Sequence, residues 1–154
     1  MQWTTFWAVA AGAVIGALGT GIADRLRWRR DVSEQERRAL QAAYAEFLNA
    51  VKRTGSAISQ AAHDETSPQE ERARLARLAV EQHGLYESQA HVELCAPAPL
   101  FPLINEQVLA LLSLRDEVVR GGGPGTPRYE GAWMKIHATG VHIREDMRAT
   151  LGRP

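Results

Sequence analysis

The sequence predicts an all-α protein, with a single N-terminal transmembrane helix followed by an up-down helical bundle of about four helices. Three observations lead there. Residues 3–23 contain no charged side chain; the remainder places apolar residues three and four apart, without β-type alternation; and clusters of Pro and Gly cut it into helix-length segments. The chain divides accordingly into a signal anchor with a juxtamembrane Arg cluster, residues 1–31, and a bundle, residues 32–154.

The 21 residues of the uncharged stretch comprise 14 apolar residues, four Gly and three Thr. As a helix they would extend about 31 Å, against a hydrocarbon core of about 30 Å. Trp3, Phe6 and Trp7 mark one end, Ile22 closes the apolar run, and Trp28 lies just past the other end. Amphipathic rings favour the headgroup region at such ends. Arg25, Arg27, Arg29 and Arg30 follow at once, against Asp24 and Asp31, and no Lys or Arg precedes the span. The positive-inside rule therefore places the N-terminus outside and the C-terminal domain in the cytosol, at the cell (inner) membrane. A cleaved secretory signal carries its positive charge ahead of the apolar run, the reverse of this order. The Ala-rich core still leaves cleavage open, as it does a buried helix of a soluble protein. The Arg cluster, with Trp28, is expected to meet anionic lipid headgroups. Ala8, Gly12, Gly16 and Thr20 recur every four residues, and Gly12-x-x-x-Gly16 is the spacing that lets two helices approach closely in lipid. It offers a homodimer contact.

Four helices are expected beyond the anchor. The first, over residues 33–62, opens on the capping-box pair Ser33 and Glu36 and carries Leu40, Tyr44, Phe47, Val51 and Ile58 on one stripe. The second, over residues 68–94, opens on Ser67-Pro68-Gln69-Glu70, read as an N-cap, a first-turn proline and a capping-box Glu. Its stripe is Leu75, Leu78, Gln82, Leu85 and Gln89, with Ala79 and Tyr86 beside it. Pro97, Pro99 and Pro102 end it. The third, over residues 102–120, carries Ile104, Val108, Leu111, Leu112, Arg115, Val118 and Val119, and Gly121–Gly125 stops it. Thr126-Pro127 opens the fourth, with Tyr129, Trp133, Ile136, Gly140, Ile143, Met147 and Leu151. The connector 95–104 is apolar for a loop, which suggests that it fills the end of the core. A sharper alternative makes Cys95, Leu100 and Phe101 a membrane-proximal loop.

Composition excludes several classes of function. Eighteen Lys and Arg balance 18 Asp and Glu, which argues against a nucleic-acid binder. One cysteine excludes a disulfide framework or a multi-cysteine zinc site. His83, Glu87 and His91, spaced four apart, carry ligand chemistry, but they drift away from the apolar stripe towards solvent. His137 beside Trp133 and Ile136 reads as a boundary residue, His142 and Asp146 as outward-facing, and Cys95 as an inert thiol. The Gly121–Gly125 run lacks the Lys and Ser/Thr of a phosphate loop. No catalytic residue, metal ligand or cofactor is therefore assigned. The expected function is docking or scaffolding of a protein partner at the cytosolic membrane face. A ligand- or metal-binding bundle using His83, His91 or His137, with or without enzymatic activity, is the alternative; a membrane-acting effector with an oligomerising span is a third.

Overall fold

The computed structural model describes residues 34–152, all of whose regular structure is helical. The expected span and its flank lie outside the described residues, including Trp3, Phe6, Trp7, Gly12, Gly16, Ile22, Arg25, Arg27, Trp28, Arg29, Arg30 and the capping residue Ser33. Among the described residues no helix is long and apolar enough to cross a membrane. Residues 34–38 are the described part of the first of two compact units, and there Arg38 pairs with Glu34 at 3.6 Å with both side chains in solvent.

The second compact unit begins at Ala39. Helix α1 covers residues 34–63, α2 Gln69–Gln82, α3 Leu85–Cys95, α4 Phe101–Val119 and α5 Pro127–Thr150, with a 3-10 turn at Ala98–Leu100. Contacts between distant residues fix the directions. His91 near the end of α3 meets Glu46 early in α1, and Tyr129 at the start of α5 meets Ser59 late in α1. Gln69 at the start of α2 meets Val118 at the end of α4. The helices thus alternate in direction through four limbs, and α2 with α3 makes up the second.

Five helices fill four limbs because the second limb is broken at His83–Gly84. Gly84 has φ +63°, a left-handed conformation that a residue without Cβ adopts at little cost. The continuous helix expected over 68–94 is corrected on this point. Its buried face also differs from the expected leucine stripe. Ala73, Ala76, Ala79 and Val80 are buried, whereas Leu75 is only partly so and Tyr86 is exposed. Small side chains on this face set a short distance between packed helices.

The capping box at Ser67 does not form. Ser67 Oγ donates to Asp64 Oδ2 at 2.7 Å and Thr66 Oγ1 to Asp64 Oδ1 at 2.6 Å, which leaves no side-chain cap on α2. A carboxylate three residues back outbids the helix terminus for the hydroxyl, because charged acceptors make the stronger hydrogen bond. The end of α4 behaves as its glycines require. Gly121 is left-handed at φ +89°, its N–H donates to Val118 O, and Gly122 N–H donates to Glu117 O. This is the Schellman arrangement, which satisfies carbonyls the helix leaves open.

Among the described residues, Phe47, Ile58, Leu85, Ile104, Leu111, Leu114 and Ile143 are the large apolar side chains wholly inside. Burial of each contributes about 1.5–3 kcal/mol. The apolar connector joins them at one end: Leu100 and Ile104 are buried, Cys95 is half-buried with a free thiol, and Phe101 stays exposed.

Candidate binding groove

Helices α1 and α5 lie side by side without filling the space between them. Each carries a glycine at this seam, Gly55 and Gly140, inside a helix where alanine would be the better helix former. A Cβ at Gly140 would come within 3.5 Å of Arg144 Nη1 and 3.6 Å of Gln107 Oε1, and one at Gly55 within 3.4 Å of Leu111 Cδ2. The bare backbones leave a groove of about 420 Å³, within the size range of ligand sites.

Leu48 and Val51 of α1 face Trp133 and Ile136 of α5 across it. Trp133 is fixed by an edge-on contact with His137, whose ring centroid lies 5.1 Å away at 76°. Lys52 and Arg144 supply positive charge, neither has an ion-pair partner among the described residues, and no acidic side chain lines the groove.

Gln107 of α4 also lines the groove. Its side chain is 1% exposed, and neither Oε1 nor Nε2 has a hydrogen-bond partner among the described residues. A buried amide left unpaired costs about 1–3 kcal/mol. The hydroxyl of Thr54 is likewise buried without a partner, but it does not line the groove. Gln107 was absent from the expected stripe of its helix, although it sits three residues after Ile104 and four before Leu111, inside the apolar band. A polar residue at an apolar register position is the sequence signal that marks it.

Of the candidates drawn from the sequence, His137 lines the groove beside Trp133, and the others lie elsewhere or apart. His83 caps α2 while Glu87 and His91 sit on α3, so the left-handed turn at Gly84 breaks their common ladder. His91 Nδ1 instead lies 2.8 Å from Glu46 Oε2. Among the described residues no group of three His, Cys, Asp or Glu is placed to hold a metal ion. His142 lies 3.8 Å from Glu145, at the surface. Burial raises the Tyr44 phenol above its ordinary value of 10.0, opposed by the neighbouring Thr150 hydroxyl and aided by nearby Cys95. The shift follows from packing at the end of the bundle.

No family model, curated protein or solved structure matches the chain. The reading of the groove therefore rests on its own chemistry.

Proposed function

We propose that the chain is a single-pass membrane-anchored docking module without enzymatic activity, and that the α1–α5 groove is where a protein partner docks. Residues 1–31 hold it at the inner membrane through the uncharged span and the Arg25–Arg30 cluster, with the bundle on the cytosolic side. The support for the anchor is the uncharged run with positive charge on one flank only.

The observation that carries the docking reading is Gln107. Buried polar groups are paired in the great majority of proteins, so an amide with both functions open beneath an apolar groove points to an occupant. Hydrophobic grooves with a few placed polar groups are common recognition surfaces for protein segments.

Site-specific crosslinking in cells tests it. With Ser56 at the groove replaced by p-benzoylphenylalanine, irradiation is expected to give a discrete protein adduct. The same probe at Glu70, away from the groove, is expected to give none, and Gly140→Leu, which fills the groove, should abolish the Ser56 adduct. An adduct pattern indifferent to Gly140→Leu, or none at all, refutes docking at this surface.

A further inference from the structure

We propose that the groove takes an extended, acidic and apolar peptide segment of the partner; this rests on the docking reading above and specifies its chemistry. Three features of the groove select that class.

The first is shape. The groove follows α1 from Leu48 to Ser56 and α5 from Trp133 to Arg144, about 12–16 Å at 1.5 Å per helical residue. It stays open to solvent on one side rather than enclosing a cavity. An extended chain advancing about 3.3 Å per residue would lay four or five residues along it.

The second is the pairing that Gln107 lacks. Its amide presents one acceptor atom and one donor group, Oε1 and Nε2, both buried and open. One residue of an extended peptide offers the complement, since its own N–H and C=O project to the same side. Both atoms lie just under the groove surface, so pairing requires the Gln107 amide to turn outward beside Gly140, which puts no Cβ in its way: a Cβ there would stand 3.6 Å from Gln107 Oε1. Apolar side chains of the segment would rest against Trp133, Ile136 and Val51.

The third is charge. Among the described residues, Lys52 and Arg144 line the groove without ion-pair partners, and no carboxylate opposes them. A basic segment would meet like charge on arrival, whereas an acidic one is steered in and held in register.

Selection of peptides from a random displayed library, using the full chain in lipid nanodiscs with counter-selection on Gly140→Leu, tests the assignment. The expected consensus combines Asp or Glu with aromatic or branched aliphatic residues. Lys52→Glu combined with Arg144→Glu, both at exposed positions, should invert the charge preference towards Lys and Arg. Gln107→Leu should weaken the selected peptide about tenfold, a difference of about 1.4 kcal/mol, while the free protein melts at a higher temperature. A purely structural glutamine would lower the melting temperature instead.

A basic or charge-indifferent consensus overturns the inference, as does a consensus unaffected by the double charge reversal. A small molecule seen by native mass spectrometry on the parent and missing from Gly140→Leu overturns the peptide assignment as well. In each case a groove-dependent crosslink from Ser56 would leave the docking reading standing. Loss of that crosslink together with the absence of any groove-dependent consensus removes both.

Discussion

Gln69 Nε2 donates to the carbonyl oxygen of Val118 at 2.7 Å, and to that of Val119 at 3.3 Å, across 49 and 50 residues of sequence. The first turn of α2 thereby caps the last turn of α4. Gln69→Ala should cost about 0.5–1.5 kcal/mol, the net value of such a hydrogen bond. Gln69→Glu should cost more, because a carboxylate would face the negative end of the α4 dipole. Urea unfolding of the full chain followed by circular dichroism measures both; equal stability of the two variants would remove the electrostatic part of this account.

Two glycines should respond to alanine with opposite sign. Gly84 is left-handed at φ +63°, so Gly84→Ala should destabilise by about 1–2 kcal/mol, the cost of placing a Cβ in that conformation. Gly131 lies inside α5 with nothing within 4 Å of an added Cβ. Gly131→Ala should stabilise by about 0.5–1 kcal/mol. Thermal melts of the two variants beside the parent decide it.

Asp64 makes the α1–α2 connection sensitive to acid. The Ser67 hydroxyl first, and then that of Thr66, holds its carboxyl below the ordinary carboxylate value. A group whose folded pKa is depressed contributes stability above its unfolded pKa, and loses it as pH falls through the folded one. Asp64→Ala should therefore lower the denaturation midpoint at neutral pH and leave it unchanged once the carboxyl is protonated. A difference that persists in strong acid would show that the hydroxyl contacts do not depend on the charge.

The anchor yields predictions of its own. A reporter fused after Pro154 and active only in the cytosol should work, and one active only outside should not. Neutralising Arg25, Arg27, Arg29 and Arg30 together should scramble that result.

For the span itself, Gly12→Leu and Gly16→Leu should each reduce self-association in a membrane two-hybrid assay, since bulky side chains hold the backbones apart. Association at the parental level in both variants would leave the Gly stripe without a role.

Most of the helical framework was legible because spacing and punctuation agreed. Phe47, Ile58, Ile104, Leu111 and Ile143 sit in the core where a helical period places them, and Gly121 ends α4 in the conformation that only glycine adopts readily. The break at Gly84 was not legible, because a single glycine inside a periodic run is tolerated by a continuous helix as well. Ser67 misled because the carboxylate that claims it stands upstream of the motif. The groove escaped because Gly55 and Gly140 remove volume from two helices far apart in sequence. Only their adjacency turns two weak helix formers into a cleft, and Gln107 gains its meaning from that cleft.

The left-handed turn at Gly84 also bears on how the protein opens. The first amides of α3 have no acceptor within their own helix, and Ser88 N–H is the first to find one, at Gly84 O, 3.0 Å away. Solvent deuterons should enter here first among the bundle's buried backbone. Unfolding of the second limb then proceeds in two steps, with α3 released as a short independent piece while α2 stays joined to α4 through Gln69. The slowest-exchanging amides should lie in α4, whose Ile104, Leu111 and Leu114 are fully enclosed. The seam that shortens two helices would thus let half of one limb breathe without dissolving the rest.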